Sequence, residues 1–531
     1  MEQSAVGAVV DITGSRASCR LDLAALVRLR GEAENSLTAA TSVGGYVKID
    51  LAGEWLLGTI TEIAAVPGDP AAVIAEVDLI GEGAKSSDGS LATFRRGVTV
   101  FPHPGDRLFM AALADLDRVY SPQDELHIEI GCVHPTTEVR ASILVDRMLS
   151  RHFAVLGATG SGKSTTVALM LHRIISASPE GHIVMLDPHG EYSSAFPTVG
   201  QVYNVDNLKI PYWLMNLQEH CEALIHTEEE SAAIDANILA KCLLVARMRG
   251  EMGKGASKIT ADSPVPYALG DLIEAIDSEM GKLDKAADAY RYTRLKVNVQ
   301  QLFSDRRYRF LFSNEFRTHS MVDFMSEMLR VPANGKPISI IDLAGVPSEI
   351  VDVVVSILTR LILEYAIWSP RDDRAPILLV CEEAQRYLPA AHAGATMSAE
   401  RQLARIAREG RKYGVSLGII TQRPSELSET ALSQCGTIFA MRLNNLNDQA
   451  RIRDTLPEGA RGFVDLIPAL QSRECIVSGE GAPVSMRVRI DNLEAHLRPA
   501  SDDPLFSRMW GQPRKGNEQV VETVRRWRGE S

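Results

Sequence analysis

Gly157-Ala158-Thr159-Gly160-Ser161-Gly162-Lys163-Ser164 is the stretch that decides the fold. It matches G-x-x-x-x-G-K-[ST] at every fixed position. His152–Leu156 ahead of it reads as a buried strand, and Lys163–Ser178 behind it has helical spacing. A strand, a glycine-rich loop and a helix in that order form a phosphate cradle. The glycines let successive N–H groups turn inward toward phosphate oxygens. The helix N-terminus adds its partial positive charge. Lys163 would reach the β- and γ-phosphates of a nucleotide, and Ser164 would hold Mg²⁺. Ala158, Thr159, Ser161 and Thr165 complete the nucleotide-binding set, and Arg151, twelve residues before the lysine, either approaches a phosphate or is a surface charge at a strand start.

Such a site needs an acidic residue at the end of a second buried strand. Ile377-Leu-Leu-Val-Cys381-Glu382-Glu383 supplies two. Glu382 would hold Mg²⁺, partly through water, and Glu383 would orient or deprotonate an attacking water. Thr421-Gln422-Arg423-Pro424 ends the next strand, where Gln422 either meets the γ-phosphate and the water or caps the turn before Ser425. Asp187, in Asp187-Pro-His-Gly-Glu-Tyr192, ends another strand at that edge and is a further candidate for the metal network. Arg401, Arg405, Arg408, Arg411 and Lys412 fall at helical spacing. They are either a solvated helix face or the source of a guanidinium that reaches a neighbouring subunit's γ-phosphate.

Outward from this centre the pattern is β-α alternation. Strand candidates are His182–Asp187, Ile338–Asp342, Ile377–Glu382, Val415–Thr421, Thr437–Arg442 and Glu474–Ser478, mostly continuous apolar runs as in a parallel sheet covered on both faces. Helical patterns cover Glu349–Ile367 and Glu400–Lys412. The expected core is a doubly wound α/β fold over 111–204 and 331–490. Residues 205–330 interrupt it as a helical insertion, with helices over Glu228–Gly250 and Tyr267–Phe303 and a loop over Gly250–Ser263. Before the core, Ala5–Ile12, Gly45–Asp50, Glu54–Glu62, Ala72–Leu79 and Gly97–Phe101 are short strand-like runs, with turns at Val66–Asp69 and Pro102–Asp106. They predict a small β-barrel over residues 1–110. Residues 491–531 form a C-terminal extension, and its Arg514–Arg528 stretch is either a docked helix or a frayed end.

The whole chain has 531 residues, 45% hydrophobic and 23% charged, a usage that excludes a mainly disordered protein. The net charge of −12 excludes a coat of basic charge, although a basic lining inside an acidic shell can still hold nucleic acid. The seven cysteines have no C-x-x-C spacing and read as reduced thiols. The start lacks the features of a signal peptide. Val351–Trp368, the most apolar long stretch, carries Asp352, Arg360 and Glu364 and reads as a core helix. A cytoplasmic protein without a membrane span is expected.

Together, G-A-T-G-S-G-K-S, D-P-H-G-E-Y, E-E-A-Q, A-R-E-G-R-K-Y-G and T-Q-R-P-S-E-L-S-E-T-A-L-S-Q-C resemble the HerA family of hexameric DNA-translocating ATPases, over roughly residues 1–500. The family's acidic motif often reads E-E-A-H, and here Gln385 stands at the fourth position. The resemblance implies a RecA-like core using ATP and Mg²⁺, and an N-terminal HAS-barrel that docks partner proteins. It implies a homohexamer with double-stranded DNA in its pore. It places the trans-acting arginine at Arg408, with Arg411 as the alternative. It also implies an operon-encoded effector, such as a nuclease or a sirtuin-type NADase in anti-phage defence. The expected activity is an ATP-dependent duplex-DNA translocase or helicase. The competing expectations are a scaffold ATPase that assembles effector subunits without processive movement, and a protein-translocating ATPase of the secretion type.

Overall fold

The computed structural model describes residues 5–32, 42–66, 68–122, 125–225, 229–250, 258–282, 286–318, 320–390, 397–456, 458–500, 506–511 and 516–528. The N-terminal strands are β1 (Gly7–Thr13), β2 (Arg16–Asp22), β3 (Tyr46–Asp50), β4 (Glu54–Val66), β5 (Asp69–Ala84), β6 (Arg95–Arg96) and β7 (Arg107–Met110). Their order is β2-β1-β7-β3-β4-β5-β6, and a further β2–β5 pairing closes a barrel. The closing ladder runs antiparallel from Arg16 opposite Asp78 to Asp22 opposite Ala72. Alternate residues Ala17, Cys19 and Leu21 of β2 point into the barrel core beside Val47, Ile49, Leu56 and Val77.

Three of these strands, β2, β6 and β7, were not expected. In β2 the inward set is only Ala, Cys and Leu between arginines and serine, so its apolar signal is weak. The expected strand Gly97–Phe101 is absent. Glu82 takes the N–H groups of Thr99 (2.9 Å) and Val100 (3.3 Å), so a buried carboxylate replaces a ladder partner. At the first turn Val66 pairs with Asp69, while Pro67 lies outside the described residues. At the second, Asp106 N donates to His103 O at 3.0 Å.

The barrel does not stand apart from the core. Lys48 Nζ lies 3.0 Å from Asp115 Oδ2, with the two side chains 1% and 0% exposed. Leu91 N (2.7 Å) and Ala112 N (2.8 Å) also donate to Asp115. Tyr46, Trp55 and Phe109 share one buried cluster with Leu116, Val119 and Tyr120.

The second sheet contains β8 (His127–Val133), β9 (Arg140–Leu144), β10 (Phe153–Leu156), β11 (His182–Asp187), β12 (Gly200–Tyr203), β13 (Ile338–Asp342), β14 (Ile377–Cys381), β15 (Val415–Thr421), β16 (Thr437–Met441), β17 (Glu474–Gly479) and β18 (Met486–Ile490). Its order is β12-β13-β11-β14-β15-β10-β16-β17-β18-β8-β9. Neighbours are parallel from β12 to β16. The expectation of a parallel sheet needs correction beyond that point: β17, β18, β8 and β9 continue it antiparallel. β18 reads Met-Arg-Val-Arg-Ile, with arginines on its outer positions, and such a half-buried strand lacks the continuous apolar run of the central ones.

Between β12 and β13 lie helices Leu217–Leu224, Glu229–Arg249, Leu269–Met280, Ala286–Ser304 and Met321–Leu329. The helical pattern over Tyr267–Phe303 is carried by two helices, the first ending where Gly281 N caps onto Asp277 O at 2.9 Å. Of the expected loop Gly250–Ser263, residues 251–257 lie outside the described residues. The apolar helix Val351–Trp368 is largely buried. Its Arg360 meets Glu219 at 2.8 Å and Glu364 at 3.1 Å, so its central charge is paired inside the core. No helix among the described residues is long and apolar enough to cross a membrane. The tail forms a helix over Glu518–Arg528, and its described side chains are nearly all exposed rather than docked.

Candidate functional site

Strand order decides which side chains meet. β10 lies between β15 and β16, with β14 beyond β15 and β11 beyond β14. All five are parallel, so the residues following them gather at one edge of the sheet. The loop after β10 is pinned on both sides: Gly157 N donates to Thr421 O (3.3 Å) and Ala158 N to Arg442 O (2.8 Å). Gly160 (φ 73°) and Gly162 (φ 99°) both adopt the left-handed conformation that glycine tolerates without strain. Lys163, Ser164 and Thr165 then open the helix Lys163–Ala177, whose first N–H groups have no intrahelical partner.

Lys163 is only 7% exposed, and its Nζ makes a long 3.4 Å bond to Ala158 O. Burial pulls its pKa down, while the charges of Glu382, Glu383 and Glu191 push it up. Glu382 is 3% exposed. Burial and the charge of Glu383 raise its pKa above the ordinary carboxylate range, opposed by Lys163 and by the hydroxyl of Tyr192. That hydroxyl donates to Glu382 Oε2 at 3.0 Å. Ser164 Oγ donates to Glu191 Oε2 at 2.9 Å.

Glu383 caps the short turn Ala384–Arg386 in a left-handed conformation, φ 49°. Its Oε2 accepts from Gln385 Nε2 at 2.5 Å, and Gln385 Oε1 accepts from Thr421 Oγ1 at 2.6 Å. Gln422 is beside the phosphate loop, where its Oε1 accepts from Thr159 Oγ1 at 2.6 Å. The loop, both glutamates and Gln422 therefore come together as expected from their strand ends.

Asp187 and Arg151 make contacts of their own within the chain. Asp187 is fully buried, and its carboxylate accepts from Tyr192 N (2.8 Å) and His189 N (3.3 Å). These bonds hold its own loop. Arg151 precedes β10, at the edge opposite the phosphate loop, and pairs with Glu480 at 2.8 Å. It cannot approach a nucleotide bound to its own chain. Arg408 and Arg411 are exposed near the end of the helix Ser398–Tyr413, which leads through Gly414 into the start of β15. The neighbouring Ala407 O meets His152 Nε2 at 3.0 Å, at the start of β10. All three arginines thus sit a strand's length from the phosphate loop of their own chain.

Sequence reasoning missed Glu191, Tyr192, Gln385 and Thr421. The first two stand inside the D-P-H-G-E-Y stretch that drew notice for its aspartate, and the last two flank the residues chosen as catalytic. Their roles depend on neighbours across strands, which spacing along the chain does not report.

The donor set fits a magnesium nucleotide. The buried Ser161 Oγ has no hydrogen-bond partner among the described residues. A Cβ at Gly162 would come within 3.2 Å of Arg473 Cγ, so the loop packs closely against Arg473. Lys163 and Ser164 face carboxylates that suit a cation and its waters.

Residues 128–362 match the family described as helicase HerA, central domain. A probable helicase of Methanocaldococcus jannaschii is 24% identical over 505 residues, covering 89% of this chain and 90% of the relative. The DNA double-strand break repair helicase HerA of Pyrococcus furiosus is 25% identical, covering 83% of this chain and 86% of the relative. Among solved structures, VirB4 of Thermoanaerobacter pseudethanolicus superposes with a TM-score of 0.49 at 17% identity, covering 71% of this chain and 99% of that one. With the central domain matched and relatives aligned along most of both chains, the protein is similar to the helicases of the HerA family.

Proposed function

We propose that the protein is an ATPase that drives movement along double-stranded DNA. The observation that carries this reading is the meeting of Lys163, Ser164, Glu382, Glu383 and Gln422 at one sheet edge, in a chain whose relatives include a DNA double-strand break repair helicase. Lys163 would neutralise charge on the β- and γ-phosphates. Ser164 and Glu382 would hold Mg²⁺, which supplies charge neutralisation at the phosphate oxygens. Glu383 would orient the attacking water and take its proton, and Gln422 would help to place the γ-phosphate.

The reading includes a ring of identical subunits, a homohexamer as in the resemblance above. Arg151, Arg408 and Arg411 lie at the sheet edge opposite the phosphate loop. In a head-to-tail ring that edge of one subunit faces the next subunit's nucleotide, and Arg408 would complete the neighbour's site. The closed N-terminal barrel would be the docking platform for an effector enzyme.

The test is ATP hydrolysis by the purified protein with and without duplex DNA. We expect stimulation by duplex, lost in Lys163→Ala. Hydrolysis indifferent to duplex, with nucleotide controlling assembly instead, would replace the motor with the scaffold reading.

A further inference from the structure

The carboxylate proposed as the base is not free-standing. Gln385 Nε2 donates to Glu383 Oε2 at 2.5 Å, and Gln385 Oε1 accepts from Thr421 Oγ1 at 2.6 Å. Thr421 is fully buried, and its Oγ1 also accepts from Arg423 N at 3.0 Å. The carboxylate fixes the direction of the side-chain bonds. An ionised carboxylate only accepts, so the amide nitrogen of Gln385 faces Glu383. The amide oxygen is then left facing Thr421, whose one proton it accepts. A carboxamide is the group that can accept on one side and donate to a carboxylate on the other.

Thr421 is also the residue whose carbonyl accepts from Gly157 N, at 3.3 Å. The strand order β14-β15-β10 makes Thr421 the bridge between the acidic strand and the phosphate loop. Tying Glu383 to Thr421 therefore draws its carboxylate toward the phosphate side of β14. The next residue, Gln422, bonds Thr159 of the loop itself, at 2.6 Å. Two side-chain links, Thr159–Gln422 and Thr421–Gln385–Glu383, start from residues adjacent in the backbone and so connect the loop to the carboxylate. The left-handed backbone at Glu383 (φ 49°) costs a non-glycine residue about 1 kcal/mol, and it turns the chain so that Gln385 comes back over Glu383.

We propose that Gln385 is a positioning residue for hydrolysis: it clamps the Glu383 carboxylate onto Thr421 and so registers it against the phosphate loop. This rests on the reading of Glu383 as the base. Removing the clamp leaves Lys163, Ser164 and the loop untouched, so nucleotide affinity should persist. What is lost is the placement of the carboxylate, and a misplacement of about 1 Å costs up to about 10²-fold in rate.

The experiment measures kcat, KM and the affinity for a non-hydrolysable ATP analogue for wild type, Gln385→Leu, Thr421→Val, their double variant, Gln385→His and Glu383→Gln. Gln385 is half-buried, and thermal melting of each variant checks the fold. We expect kcat to fall about 10-fold or more in Gln385→Leu, with KM and analogue affinity within about twofold. Thr421→Val should show the same split, and the double variant should be no worse than the more impaired single variant, because both break one link. Gln385→His, which retains one donor and one acceptor, should recover part of kcat. The proposal is overturned if Gln385→Leu keeps wild-type kcat while Glu383→Gln is inactive, or if its KM and affinity fail together with kcat. If wild type hydrolyses no ATP, the reading of the site fails and this proposal falls with it.

Discussion

The hydroxyl of Tyr192 donates a 3.0 Å hydrogen bond to Oε2 of Glu382, and the two side chains are 0% and 3% exposed. A tyrosine from the loop after β11 thereby supports a carboxylate at the end of β14. Tyr192→Phe would leave that buried oxygen without its donor. We expect a loss of about 1–3 kcal/mol of stability, the scale for an unsatisfied buried acceptor. Denaturant unfolding with an unchanged m-value checks this, and a midpoint equal to wild type would show that the bond contributes nothing net.

Glu383→Gln should retain nucleotide and lose turnover. The phosphate contacts and the metal-holding residues stay in place, so binding of a labelled ATP analogue should match wild type while hydrolysis falls by about 10²-fold or more. Glu382→Gln should instead raise the Mg²⁺ concentration needed for hydrolysis. An active Glu383→Gln beside an ATP-trapping Glu382→Gln would reverse the two roles.

Arg408 is exposed at the edge opposite the phosphate loop, and in the proposed ring it would act on a neighbouring subunit's site. Arg408→Ala should bind ATP almost normally and hydrolyse it poorly, because the guanidinium stabilises mainly transition-state charge. Mixing these subunits with Lys163→Ala subunits should restore part of the activity, since intact loops then face intact arginines. No recovery after subunit exchange has been confirmed by mass would remove Arg408 from the site and turn attention to Arg411.

Stability should decline in mild acid. His220 is 1% exposed, and its pKa is pushed down to about 3 by burial and, secondarily, by the charges of Arg247 and Arg360. The unfolded chain takes up this proton near pH 6.5 and the folded chain does not, so the unfolded state gains as pH falls below that value. At pH 5 the single group costs about 2 kcal/mol. Buried His152 and half-buried His134 and His172 act in the same direction. The melting temperature should therefore drop between pH 7 and pH 5, and His220→Gln should flatten the slope. An equal slope in the variant would place the proton uptake elsewhere.

What the sequence determined by itself is the local chemistry. The G-x-x-x-x-G-K-S loop, the acidic end of Ile377–Cys381 and the apolar strands around them were legible because each is contiguous. A loop that must bind phosphate through its backbone needs its glycines and lysine at fixed spacing, and a strand covered on both faces needs an unbroken apolar run. Only the tertiary structure decided the rest. The strand order β11-β14-β15-β10 puts Tyr192 on Glu382 and Thr421 between Gln385 and the loop, and sends Arg151 to the far edge. It also joins the barrel to the core through Lys48 and Asp115. These pairings link residues far apart along the chain, and the strands that close the barrel and extend the sheet, β2, β7, β8, β9, β12 and β18, are short or half-buried. A half-buried strand shows its pattern only once its partner is known, because burial on one face is a property of the pair and not of the segment.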